Sequence, residues 1–141
     1  MNPELKKLSE VLKNKGQSLT NPRKLVFEVL SSHKPQTMNE LINLLGKSVD
    51  RASVYRTVGL FESLGITQRL ALGWKYKIEL SDAFTHHHHH FSCMKCGLII
   101  TLQDNSDLEA SISLLAKSQG LTMTDHQLEI RGLCQDCASS T

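Results

Sequence analysis

The stretch RASVYRTVGLFESLGITQRLALGWKYKIEL, residues 51–80, decides how the first half of this chain folds. Val54, Val58, Phe61 and Leu64 recur at helical spacing and define a buried stripe. Arg51, Tyr55, Arg56, Gly59 and Ser63 fall on the opposite face, and Gly65 stops the helix. Leu70 and Leu72, then Tyr76, Ile78 and Leu80, alternate on either side of Gly73-Trp74. That is the pattern of a hairpin, here with Arg69, Lys75 and Lys77 making its tip basic.

Upstream, the periodicity predicts three more helices. Residues 3–15 carry Leu5, Leu8, Val11 and Leu12 on one stripe, with Pro3 in the first turn and Gly16 as the stop. A second helix starts near Thr20, buries Leu25, Val26, Val29 and Leu30, and ends before His33. Thr37-Met38-Asn39-Glu40 is a capping box opening a third helix to Gly46. Helices followed by a basic hairpin form a winged helix-turn-helix, whose recognition helix enters the major groove, about 12 Å wide. The bland alternative for the Arg/Tyr face is a solvated helix surface. Charge weighs against it. Residues 1–80 hold 13 Lys/Arg against 7 Asp/Glu, whereas residues 81–141 hold 3 against 7, so the basic half is the one suited to a polyanion.

Composition is that of a folded protein, 40% hydrophobic and 21% charged. No apolar run approaches the roughly 20 residues of a membrane span. The N-terminal stretch is amphipathic rather than signal-like, so a cytoplasmic location is expected.

The second half is read from its cysteines and histidines. Cys93-x-x-Cys96 and Cys134-x-x-Cys137 are two knuckles, and in a reducing compartment paired knuckles suit tetrahedral zinc. Between them the pattern predicts a strand at 97–102, a helix opened by a Ser106–Glu109 capping box with Leu108, Ile112, Leu115 and Ala116 inward, and a strand at 121–131. Some 60 residues bury little core, so a metal staple and a dimer partner are expected. The run His86–His90 precedes the first knuckle. If it is extended, His86, His88 and His90 face one way and His87 and His89 the other. One run then serves two metal sites, each with a His-x-His pair.

The stretches LTNPRKLVFEVL (19–30), RASVYRTVGLFESLGI (51–66), HHHHHFSCMKCG (86–97) and TMTDHQLEIRGLCQDC (122–137), in this order and spacing, resemble the ferric uptake regulator family of metal-dependent bacterial repressors. The resemblance covers nearly the whole chain. It implies an α+β protein: a winged-helix DNA-binding domain at 1–80, a hinge at 81–84, and a small α/β dimerisation domain with structural zinc at 85–141. It implies a structural zinc on Cys93, Cys96, Cys134 and Cys137. A regulatory hinge site falls on His33, Glu79, His88 and His90, with Asp82 as the alternative acid. A second site falls on His87, His89, Glu109 and His126. His86 has no assigned role. The implied partners are a second copy of the chain and a palindromic operator in double-stranded DNA, with no membrane. Tyr55 would read bases, Arg56, Arg23 and Arg51 would hold phosphates, and Lys13 or Lys15 would take the minor-groove contact, because Ser18 stands where relatives carry a lysine.

Departures from the family pattern refine this. His89 replaces a common aspartate, which makes the second site more zinc-like. Thr101 stands where peroxide sensors carry an acid. The expected function is a metal-responsive repressor of metal homeostasis, with iron first among iron, zinc and manganese. A zinc uptake regulator is the alternative, followed by a His-rich storage or chaperone protein. No catalytic role is expected, because a four-thiolate zinc is closed to substrate and the histidines are taken as ligands.

Overall fold

Capping side chains set where the helices begin. The computed structural model describes residues 2–72 and 75–140, so the expected Gly73-Trp74 turn lies outside the described residues. Helix α1 (Pro3–Asn14) is capped by Asn2 and α2 (Asn21–Ser32) by Thr20. The box at Thr37 and Glu40 opens α3 (Met38–Leu45) with both reciprocal bonds, at 3.1 and 3.2 Å. A 3-10 turn over Gly46–Ser48 leads to α4 (Arg51–Ser63), capped by Asp50.

Strands β1 (Thr67–Leu72) and β2 (Lys75–Leu80) pair antiparallel, Thr67 with Leu80 through Leu72 with Lys75. Gln36 adds one bridge to Ile78 on the other edge of β2. Leu8, Leu12, Val26, Phe27, Leu41, Val54, Phe61, Ile66 and Ile78 are all but sealed from water and bind these elements into one core. Phe27 is among the largest of these side chains, a residue the helical stripe alone did not single out.

The chain divides into two compact units, residues 1–86 and 87–141. Residues 81–86 therefore pack with the first unit. Ser81 donates from its N–H to the Ile66 carbonyl (2.9 Å) and from its hydroxyl to the Gly65 carbonyl (2.7 Å).

The second unit holds a three-stranded sheet in the order β4-β3-β5. Strand β3 (His90–Cys93) runs antiparallel to β4 (Ile99–Thr101) and parallel to β5 (Glu129–Gly132). Helix α5 (Ser106–Ser118) lies between β4 and β5 in sequence, and α6 (Gln135–Ser139) follows β5.

Three expectations are corrected. Asn105, not Ser106, caps α5: its side chain accepts from the Leu108 N–H at 3.0 Å, which moves the helix start back by one residue. Glu109 is thereby released from any capping role. No residue of α5 is buried, and Leu115 is 65% exposed where an inward position was expected, because within one chain nothing covers that face. Strand pairing begins only at Glu129, since the residues before it have no ladder partner.

Candidate metal centres and DNA-facing helix

The histidine run enters β3, and only His90 is itself in the ladder. Alternation nonetheless operates from His87 onward. The His88 and His90 rings pack together at 4.5 Å between centroids, and the His87 and His89 rings at 4.7 Å.

On the His87/His89 face, Glu109 of α5 and His126 of the segment before β5 complete a four-residue cluster whose ligand atoms all lie within 4.8 Å of one another. His89 Nε2 is 2.6 Å from Glu109 Oε1, His126 Nε2 is 2.8 Å from Oε2, and the Nε2 atoms of His87 and His126 are 3.1 Å apart. His87 Nε2 stands 3.5 Å from Oε1. Tetrahedral coordination at metal–ligand distances of about 2.0–2.1 Å requires ligand atoms about 3.3 Å apart, and these spacings bracket that value. Burial pushes the Glu109 carboxyl up, but the His89 hydrogen bond and the charges of His126, His89 and His87 outweigh it and hold the group below the ordinary carboxylate range. His89 is 7% exposed, and its Nδ1 is buried with no hydrogen-bond partner among the described residues. That ring is held for what its Nε2 reaches.

The four cysteines are free thiols with their sulfurs within 4.8 Å of one another. Cys96 Sγ and Cys134 Sγ are 3.9 Å apart, close to the roughly 3.8 Å that Zn–S bonds of about 2.3 Å impose on a tetrahedron. The first knuckle is a tight turn: Gly97, at φ 78°, donates its N–H to the Cys93 carbonyl, and the Cys96 N–H points at Cys93 Sγ at 3.5 Å. Backbone N–H groups of Cys96 and Cys134 lower the Cys93 thiol to about 6, whereas contact with Cys134 pushes Cys137 up to about 12. Four thiols this close cannot all ionise without a cation among them, so the donor set fits structural zinc.

His33 and Glu79 belong to the first unit. His33 lies at the C-terminal end of α2, exposed, with Nδ1 2.9 Å from the Val29 carbonyl. Glu79 is buried in β2, one carboxylate oxygen accepting from Gln68 at 2.8 Å. Asp82 is exposed in the turn after β2.

On α4 the outward face carries what the sequence placed there. Tyr55 is 46% exposed, the Arg51 guanidinium stacks over its ring at 5.7 Å, and Arg56 is exposed. Asp50 accepts from the Ser53 hydroxyl at 2.6 Å, and Ser53 in turn receives Arg56 Nη2 at 3.1 Å, so the arginine is held by the helix cap. Arg56 and Arg23 line one open cleft of about 410 Å³ with Thr20, Pro22, Ser53 and Thr57. Arg23 also donates to the Ser18 carbonyl at 2.7 Å. Lys13 and Lys15 are exposed at the end of α1. In the wing, Arg69 is committed to Glu62 of α4 (2.7 Å) and lies over Tyr76 at 4.2 Å, while Lys77 stands 3.8 Å from Glu40.

The model of the ferric uptake regulator family matches residues 14–131. The chain belongs to that family. It is 34% identical over 135 residues to the ferric uptake regulation protein of Vibrio parahaemolyticus, covering 91% of this chain and 88% of that one. Among solved structures it is similar to the Vibrio cholerae ferric uptake regulator (TM-score 0.73, 31% identity, 89% of this chain and 98% of that one). It is also similar to the Francisella tularensis regulator determined with iron (TM-score 0.71, 29% identity, 87% and 96%). Membership makes the chain a metal-responsive transcriptional regulator.

Within that frame, three contributors escaped the sequence reading. Asp50 and Ser53 orient Arg56, and Glu62 anchors Arg69. The first had a legible signal, an acid three residues before a serine at a helix start; the Glu62–Arg69 pair needed the hairpin's register.

Proposed function

We propose that this chain is a homodimeric, metal-activated repressor that binds a palindromic operator in cytoplasmic DNA and responds first to iron. The observation that carries the reading is the division of one histidine run into a His87/His89 pair and a His88/His90 pair. His33, Glu79, His88 and His90 would hold the regulatory cation, which when bound supplies a cross-link between the end of the wing and the start of the second unit. His33 is prepared for this. Its Nδ1–H donates to Val29, which fixes the tautomer and leaves Nε2 as the ligand atom. Glu79 is held through one oxygen by Gln68. Ligand binding changes DNA affinity only through its preference for the DNA-competent arrangement.

A second copy is the expected cover for the second unit, where Leu98, Ile100, Leu114, Leu115, Ile130 and Leu133 are all exposed. On DNA, Tyr55 would meet base edges and thymine methyls, and Arg56 and Arg23 would grip phosphates from their shared cleft. Arg51, stacked on Tyr55, would support that reading, and Lys13 and Lys15 would add sequence-independent contacts. In the wing, Arg69 and Lys77 face acids.

Zinc sensing is the second reading, favoured by the three imidazoles of the second centre. No catalytic role is proposed. No helix among the described residues is long and apolar enough to cross a membrane. The test is selection of duplexes from a random pool by protein stripped of labile metal, with Fe(II), Mn(II) or Zn(II) added singly. A palindrome should be enriched with the sensed metal and lost on chelation; equal enrichment without metal would overturn the reading.

A further inference from the structure

Helix α4 has a cleft on each flank of its outward face. A helix turns about 100° per residue, so Tyr55 and Arg56, adjacent in sequence, leave it toward opposite sides of that face. On the Arg56 side lies the cleft shared with Arg23 of α2. On the Tyr55 side lies a second open cleft of about 360 Å³, walled also by Thr37, Met38 and Asn39 at the start of α3 and by Lys75 and Tyr76 of β2. This second cleft is rich in donors. Lys75 brings an ammonium, Tyr55 and Tyr76 bring phenol hydroxyls, and Asn39 brings an amide. Thr37 Oγ1 accepts from the Glu40 N–H, which leaves its own O–H to donate. No carboxylate is among the residues that wall the cleft. Glu40, the nearest acid in sequence, is turned to the Thr37 N–H and to Lys77. Arg51 and Arg69 lie over the Tyr55 and Tyr76 rings, at 5.7 and 4.2 Å, and add positive charge against both. One cation and several neutral donors, with no acid among them, suit a singly charged oxyanion.

We propose that this second cleft receives a backbone phosphate of the operator, from the strand opposite to the one gripped by Arg23 and Arg56. The proposal rests on the DNA-binding reading and adds a second set of contacts to it. The major groove is about 12 Å wide, and its two walls are the backbones of different strands. A helix lying in the groove turns one flank to each wall. Clefts on opposite flanks of α4 therefore face different strands. The first grips with two guanidiniums, the second with a single ammonium and neutral donors, a point contact on one phosphate. Phosphate contacts fix register and orientation rather than sequence. Held from both walls, α4 is kept from rolling about its axis, which fixes the base that Tyr55 meets.

The test uses the full chain with its structural zinc, the palindrome selected above, and whichever of Fe(II), Mn(II) or Zn(II) supports that selection. Each phosphate of a half-site, on either strand in turn, is replaced by a neutral methylphosphonate. Duplex affinity is measured for the wild type, Arg56→Ala, Arg23→Ala, Asn39→Ala and Lys75→Gln. Asn39 and Lys75 are exposed, so neither replacement opens a cavity. Each of the two should lose about fivefold or more in affinity for the unmodified duplex at low salt. One replacement that weakens the wild type should change the Asn39 and Lys75 variants by less than about twofold, as a shared contact requires. That phosphate should lie on the strand opposite the one whose replacement the Arg56 or Arg23 variant no longer feels. Asn39 and Lys75 variants that bind as the wild type, or still feel every replacement, overturn the proposal and leave DNA binding standing. So does a silent phosphate on the strand that Arg23 and Arg56 touch, or an arginine pair with no silent phosphate at all. Failure to select any duplex with any of the three metals overturns the DNA-binding reading and the second cleft with it.

Discussion

Removing the structural zinc should unfold the second unit and leave the first intact. Among the described residues, fifteen buried apolar side chains form the core cluster, and every one lies between Leu5 and Leu80. In residues 87–140 the buried side chains are His89, His90, Ser92, Cys93 and Cys134, none of them a branched aliphatic or an aromatic. Each fully buried Leu, Ile, Val or Phe contributes roughly 1.5–3 kcal/mol, so the first unit draws on a term of tens of kcal/mol that the second lacks. Structural zinc in small knuckle domains is worth roughly 10–16 kcal/mol at pH 7. That equals or exceeds the whole stability of an ordinary domain, about 5–15 kcal/mol. The assay is amide hydrogen exchange before and after a strong chelator, with zinc loss verified by elemental analysis. Peptides spanning 90–101 and 129–137 should go to unprotected exchange, and those spanning 24–32 and 54–64 should keep their protection. Persistent protection of 90–101 in zinc-free protein would refute the argument that metal replaces a core here.

Other consequences follow from single contacts. Phe61→Ala, at a position 0% exposed, should cost about 3–5 kcal/mol in denaturant unfolding of the first unit. Arg56→Ala should weaken DNA binding across all sequences and lower the salt dependence of log K by about one unit; an unchanged salt slope would remove Arg56 from the phosphate contacts. Glu109→Gln, which keeps size but removes the charge held among three histidines, should lower metal affinity at that centre at least about tenfold by competition titration. The Asp50 carboxyl is drawn below its ordinary 3.8 by the Ser53 hydroxyl and N–H. A depressed acid stabilises above its unfolded value, so Ser53 amide protection should be full at pH 5 and above and be lost only as pH falls through and below about 4.

The winged half was legible because its signals are local. Starts at Thr20 and Thr37, glycine stops at Gly16 and Gly65, and alternation in 66–80 are each read within a few residues. The metal clusters were legible for a different reason: few residue types bind metals, and strand alternation sorts neighbours onto opposite faces. The second unit was harder. Leu115 has the spacing of an inward residue, yet inward has no meaning for a helix whose cover is not in the same chain. Asn105 and Ser106 are both good caps, and sequence does not say which carbonyl is first in the helix. Arg69 read as part of a basic wing tip because charge is visible in sequence and its partner, Glu62, is not.

The central claim is that the two faces of the histidine run do different work, and one binding measurement reaches it directly. Duplex affinity is titrated with the sensed metal for the wild type, for the variant with His88 and His90 replaced by Ala, and for the variant with His87 and His89 replaced by Ala. The first variant should remain a zinc-containing folded dimer that no longer gains DNA affinity on adding metal, whereas the second should still gain it. A wild-type metal response from the protein lacking both His88 and His90 imidazoles would contradict the account.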